Sequence, residues 1–244
     1  MPPRLPGLAA RCYTRPMLAC LYDVHGNLPA LEAVLGDARA AGAQRFLLGG
    51  DYALFGGWPA ETVALLRELE PATWIRGNVD RWAADPSELP ADAGIHGAID
   101  FCRAQLGDEA VEQLGSLPER SHQDGTVFVH ASPLSDTRSF LPEPGDDEEE
   151  LLAGVRARRL VFGHTHLAFR RVAAGGVELV NPGSVGMPLD GDHRAAYALI
   201  DSDGSLEHRR VGYDHEAARA RVLEVADGAE WGAMIAGRLE RAAA

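Results

Sequence analysis

Seven residues with metal-binding donors stand where apolar runs give way to turn-forming residues. They are Asp23 and His25 in DVHGN, Asp51 in LLGGD, Asn78 in RGNVD, His130 in FVHAS, and His164 and His166 in FGHTH. Carboxylate, amide oxygen and imidazole are hard-to-borderline donors that suit divalent transition metals, and no thiolate competes with them. Asp23 and His25 are two apart, as are His164 and His166. On an extended segment such pairs point the same way, so Asp23 and His25 could both face one ion. Taken singly, an Asp after Gly-Gly is a turn or cap residue and a histidine ending a strand is an ordinary one. Together, the seven predict a two-metal cage.

The elements that must position them follow from periodicity. Met17 to Val24 reads as a buried strand. NLPALEAVLGDARAAG places Leu28, Leu31, Val34, Leu35 and Ala38 at helical spacing and stops at Gly42. RFLLGGD reads as a second strand, PAETVALLRELE as a helix opened by Pro59, and ATWIRGN as a third strand. Repeated strand–loop–helix units predict an α/β fold with functional loops at the carboxyl ends of the strands. GAIDFCRAQLGDEAVEQLGSL is helical in pattern. Strand-type runs then dominate (GTVFVH, RRLVFGH, FRRV, VELVNPGS, AAYALID) and predict a second sheet packed on the first. The acid run in PEPGDDEEELLAGV reads as a solvated loop entering a short helix. One domain over residues 17–244 is expected, with residues 1–16 an extension and residues 81–123 a variable cap or lid.

Composition narrows the classes. The formal charge of -13 over 244 residues opposes a broad nucleic-acid footprint. No apolar run approaches the roughly 18 residues of a transmembrane helix, so no membrane partner is expected. Cys12, Cys20 and Cys102 are far apart, which opposes a disulfide scaffold and fits a cytoplasmic location.

DVHGN, GGD, GNVD, VHASP, GHTH and NPGSVG, in this order, resemble the motif series of the calcineurin-like metallophosphoesterases from Met17 to about Tyr213. Within that superfamily the chain is similar to small bacterial members described as phosphodiesterases or as related to diadenosine tetraphosphatase. The resemblance implies a four-layer αββα sandwich of two mixed sheets. It implies one metal held by Asp23, His25 and His166, a second held by Asn78, His130 and His164, and Asp51 bridging the two. It also implies in-line attack on a small phosphorylated substrate by a hydroxide between the ions. Mn is the first expectation for the ions, with Fe, Ni, Co or Zn as alternatives. Arg76 stands directly before Gly77-Asn78, where a guanidinium would neutralise phosphate charge; closing a strand is its other reading. Asn27 either reaches the phosphate or caps the following helix.

One departure stands out. Most relatives carry histidine between the Asn and the acid of GNVD, where it is thought to protonate the leaving oxygen; here Val79 has no proton to give. Loss of a general acid costs about 10²–10⁴-fold, least for esters with good leaving groups. A phosphodiesterase is therefore expected. The alternatives are a metal- or nucleotide-binding regulator, a phosphomonoesterase and, opposed by charge and size, a DNA nuclease. Asp80 is expected to stabilise a turn, and the glycines of NPGSVG to shape a wall near the histidines.

Overall fold

The computed structural model describes residues 16–89 and 93–244; the expected extension, apart from Pro16, lies outside the described residues. β1 (Met17–Leu21), α1 (Leu28–Ala40), β2 (Ala43–Leu48), α2 (Pro59–Arg67) and β3 (Ala72–Trp74) form two successive parallel β-α-β units. α3 (Asn78–Ala84), α4 (Ala93–Leu106) and α5 (Asp108–Gly115) follow, with α4 and α5 parted at Gly107, whose φ is +77°. β4 (Arg120–Gln123), β5 (Thr126–Val129), α6 (Glu148–Leu151), β6 (Arg159–Val161), β7 (Phe169–Val172) and β8 (Glu178–Asn181) complete the middle. β9 (Ala195–Ile200), β10 (Leu206–Val211), α7 (His215–Ala226) and α8 (Glu230–Arg241) end the chain.

Two mixed five-stranded sheets result, in the orders β10-β9-β1-β2-β3 and β4-β5-β6-β8-β7. The strand alternation builds the layers directly. Leu18, Cys20 and Tyr22 of the first strand region face the opposing sheet, where they meet Phe128, Val161 and Val180. Ala19 and Leu21 point the other way, into a core shared with Leu31, Val34 and Leu35 of α1 and Val222 and Ile235 of α7 and α8. The outer face of the second sheet buries Val127, Val129, Leu160 and Leu179 against Phe140 and Leu151. The outer layers are unequal: on that side the only helix contributing to the cluster among the described residues is the single turn of α6.

The structure corrects the sequence reading in two places, a strand's sheet and two strands' ends. AAYALID forms β9, which pairs with β1 of the first sheet, Cys20 opposite Ala198, and does not join the second. β1 ends at Leu21 and β3 at Trp74, residues before the donors that the sequence pattern placed at their ends. Within 81–123, the expected cap, Ile99, Cys102 and Leu114 are built into the main core, and Arg81, Glu119 and Arg120 line a cleft beside His130. Cys20 and Cys102 are buried free thiols.

Candidate metal centre

All seven donors converge at one end of the two sheets, on the loops after β1, β2, β5 and β6 and at the start of α3. Asp23, His25 and His166 form one cluster of mutually close ligand atoms; Asp51, His130 and His164 form a second. Asn78 joins the second, with Oδ1 2.9 Å from His130 Nε2 and 2.9 Å from His164 Nδ1. The Asp51 carboxylate sits between them: Oδ1 lies 3.4 Å from His130 Nε2 and Oδ2 3.8 Å from His25 Nε2.

The route by which these side chains meet differs from the expected strand alternation. Asp23 (φ +55°), His25 (+48°), Asp51 (+58°), His164 (+69°) and His166 (+59°) all have left-handed backbone. Non-glycine residues adopt that region seldom, and it costs on the order of 1–3 kcal/mol each. Sharply curled loops aim Asp23 and His25 into one cluster. His164 and His166, also two apart, are sent to different clusters. Asn78 opens α3 where the sequence reading placed a turn residue.

Glycines let these loops approach. A Cβ on Gly77 would lie 2.1 Å from Asp51 Oδ1, and one on Gly186 only 1.8 Å from the Val24 carbonyl oxygen. The loop after β8 then braces the first cluster. Gly186 N–H donates to the Asp23 carbonyl at 3.0 Å, and Ser184 Oγ–H donates to the same oxygen at 2.7 Å. Ala131 is absent from the left-handed residues, so alanine in VHASP carries no backbone penalty.

Backbone carbonyls orient the imidazoles. Nδ1 of His25, His130 and His166 lies 2.9, 2.9 and 2.6 Å from the carbonyls of Leu54, Gly49 and Met187. A carbonyl only accepts, so each Nδ1 carries a proton and each ring turns Nε2 inward, with a free lone pair on His25 and His166. Burial lowers the pKa of His25 and of His166 and takes His164 down to about 4, keeping these rings neutral. Burial opposes protonation of His130 too, but the Asp51 carboxylate outweighs it and lifts that imidazole to about 10. Burial pushes Asp23 up to about 8 and Asp80 to about 7, the Asp51 charge adding to both.

The residues fit cations. Asp23 Oδ1 is buried and accepts no hydrogen bond among the described residues. Asn78 Oδ1 faces acceptors alone; with the amide turned over, its nitrogen would donate to both imidazoles and to the Asp136 carbonyl. An inward oxygen among lone pairs is the orientation that a positive ion selects.

Around the donors, several sequence readings resolve. Asn27 caps α1, its Oδ1 accepting from Ala30 N–H at 3.3 Å, while Nδ2 donates to the Gly186 carbonyl at 2.7 Å and to Tyr213 Oη at 3.3 Å. Its polar atoms are thus engaged by protein. Arg76 borders the cleft beside His130, donating to the Gly115 carbonyl at 3.0 Å and to Glu119 at 2.7 Å. Val79 is 2 % exposed and packs in the main core with Leu114 and Tyr52. Phe55, which the sequence leaves open between pocket, interface and core, has its ring centroid 5.6 Å from that of His25; sequence reasoning missed Arg238 of α8, whose charge contributes, after burial and the His130 charge, to holding His25 low. Neither sits in a motif, and α8 lies beyond the stretch that carried the resemblance.

Residues 17–205 match the model of the calcineurin-like phosphoesterase superfamily domain. The chain belongs to that superfamily. An uncharacterized protein of Methanocaldococcus jannaschii is 30% identical over 232 residues, covering 85% of this chain and 92% of the relative. A metallophosphoesterase crystal structure from Sphaerobacter thermophilus is 27% identical with a TM-score of 0.77, covering 93% of this chain and 99% of the other. A hypothetical protein from Pyrococcus horikoshii shares the fold, with a TM-score of 0.78, 22% identity, and 90% and 97% of the two chains covered.

Proposed function

We propose that the chain is a dinuclear-metal phosphoesterase that hydrolyses small phosphodiesters in the cytoplasm. The observation that carries this reading is the pair of donor clusters with the Asp51 carboxylate between them. Two divalent cations bound there would lower the pKa of a water and polarise the phosphoryl oxygens. The donor set suits Mn first, with Fe, Ni, Co or Zn as alternatives.

The chain's own residues do the rest. Carbonyls hold the His25, His130 and His166 rings with Nε2 inward, so no reorganisation of the rings is needed when substrate arrives. Water gives a proton up to solvent as its oxygen bonds to phosphorus, one ester P–O bond breaks, and that bond's electrons leave with the departing oxygen. Arg76 supports the charge that develops on the phosphoryl group, exchanging its exposed partner Glu119 for substrate. Asn27 acts through its cap, holding the loop that carries Asp23 and His25. Val79, turned into the core, gives the departing oxygen no proton. That favours diesters whose leaving group is stable as an anion or released from ring strain.

The test is hydrolysis of bis-p-nitrophenyl phosphate and of p-nitrophenyl phosphate by chelator-stripped protein reloaded with Mn, Ni, Zn or Mg. Metal-dependent turnover that prefers the diester and disappears in Asp51→Asn is expected. Two ions bound by calorimetry without turnover of either ester would overturn the enzyme reading in favour of a metal-binding regulator.

A further inference from the structure

A cleft of about 300 Å³ opens beside the second donor cluster, with His130 in its wall. Its lining carries Arg76, Arg81 and Arg120 against two carboxylates, Glu119 and Asp136. In a chain of formal charge -13, three guanidinium groups against two carboxylates make this lining beside His130 locally cationic.

The three guanidinium groups do different things. Arg81 is clamped by Asp136 through Nε at 2.6 Å and Nη2 at 2.8 Å, and it also pairs with Glu88, so it shapes the wall and its charge is spent. Arg76 pairs with Glu119, whose side chain is 66% exposed, and its buried Nε has no partner among the described residues. Such a solvated pair is worth about 0–1 kcal/mol and yields readily to a better anion. Arg120 has no carboxylate partner among the described residues; its one contact there is Nη2 donating to the Pro133 carbonyl at 3.2 Å. Two guanidinium groups from separate segments, one without a carboxylate partner among the described residues and one paired to an exposed carboxylate, therefore line the cleft that His130 borders.

We propose that this cleft is a subsite for a second phosphoryl group of the substrate, gripped by Arg120, with Arg76, released from Glu119, shared between it and the reacting phosphoryl group. This rests on the phosphodiesterase reading above and narrows it to diesters that bear a further phosphate. A phosphate offers several oxygens to two forked donors at once, which suits this pair better than a single carboxylate would. Arg120 touches neither donor cluster, so it selects substrate and leaves the chemistry alone.

The experiment compares the p-nitrophenyl ester of thymidine 5′-phosphate with the same ester carrying a 3′-phosphate, using Mn-loaded protein. Calorimetry with thymidine 5′-phosphate and thymidine 3′,5′-bisphosphate runs in parallel. The 3′-phosphate is expected to raise kcat/KM and tighten binding about tenfold or more, equivalent to at least about 1.4 kcal/mol. Arg120→Ala removes both gains and leaves turnover of bis-p-nitrophenyl phosphate unchanged; Arg120→Lys retains part of them. Turnover without any preference, or a preference that Arg120→Ala leaves intact, overturns the subsite while the phosphodiesterase reading stands. Preferential bisphosphate binding that depends on Arg120, with no turnover of any ester, supports the subsite and sinks the phosphodiesterase reading.

Discussion

The Asp80 carboxylate holds the backbone of Asp51. Its Oδ2 accepts the Asp51 N–H at 2.9 Å and the Gly77 N–H at 2.9 Å, while Oδ1 accepts the Tyr52 N–H at 3.2 Å. The acid of GNVD thus ties the loop bearing the central carboxylate to the helix start bearing Asn78. In return, Asp51 Oδ1 accepts the Val79 N–H at 3.1 Å. The valine between amide and acid contributes its backbone to the site and its side chain to the core.

Asp80→Ala leaves three buried N–H groups without partners, at about 1–3 kcal/mol for each group that water cannot reach. A loss on the order of 3 kcal/mol is expected, lowering Tm by several degrees, with weaker binding of the second ion. Differential scanning calorimetry and metal titration check both. An unchanged Tm would show that the two loops are held by other contacts.

Val79→His tests whether position 79 can house a proton donor. The side chain is directed into an apolar cluster, so the imidazole would be buried without a partner at about 1–3 kcal/mol. The expected result is a less stable protein with no gain in phosphomonoester turnover. A rise of about 10²-fold on p-nitrophenyl phosphate would mean that the residue reaches the leaving oxygen.

Diesters of graded leaving-group acidity report the same feature independently. With no protonation of the departing oxygen, log kcat/KM should fall steeply as the leaving-group pKa rises. A flat dependence, with chemistry shown to be rate-limiting, would require a proton donor elsewhere in the site.

Gly186→Ala drives a methyl group against the Val24 carbonyl and forces the Asp23–His25 loop outward. Overpacking of this kind costs about 1–3 kcal/mol. Metal content measured on purified protein should fall, with the Asp23–His25–His166 cluster losing its ion first. Full occupancy would show that the loop after β8 is passive.

Asp37 supplies a pH dependence away from the centre. Hydrogen bonds from Arg209, at 2.9 and 3.1 Å, outweigh partial burial and, with Tyr197 Oη–H at 2.6 Å, hold its carboxyl below the usual range. A carboxyl lowered on folding stabilises the fold above its unfolded pKa of about 3.9, and that contribution disappears as pH falls through the folded value. Asp37→Asn should therefore reduce stability at neutral pH by on the order of 1 kcal/mol and converge with the parent in acid. Urea midpoints measured across that range check the sign.

The donors themselves were readable because each sits in a short motif of glycine, acid or imidazole, and because their order along the chain is specific. Their geometry was harder to read. Alternation on a strand accounts for neither Asp23 with His25 nor the parting of His164 from His166, since left-handed backbone sets both. Strand order was likewise hidden: AAYALID has the same local pattern whichever sheet receives it. β4 (RSHQ), β10 (LEHRRV) and α7 carry too many polar residues for a clean period. α8 is apolar on one face, but nothing in its pattern announces that it brings Arg238 toward His25.

The pairing of β1 with both β2 and β9 has a consequence for how the chain is made. On a ribosome, β2 emerges soon after β1 and can satisfy one edge at once, but the other waits for β9, made long after it. Until β9 arrives, β1 presents an apolar, unpaired edge of the kind that seeds aggregation. Asp23 and His25, just beyond β1, depend on the same late arrival: Ser184 and Gly186, which fasten their loop, lie immediately before β9. Synthesis must therefore pass β9 before the centre can close, and a chain truncated ahead of β9 is expected to lose the centre and the first sheet together.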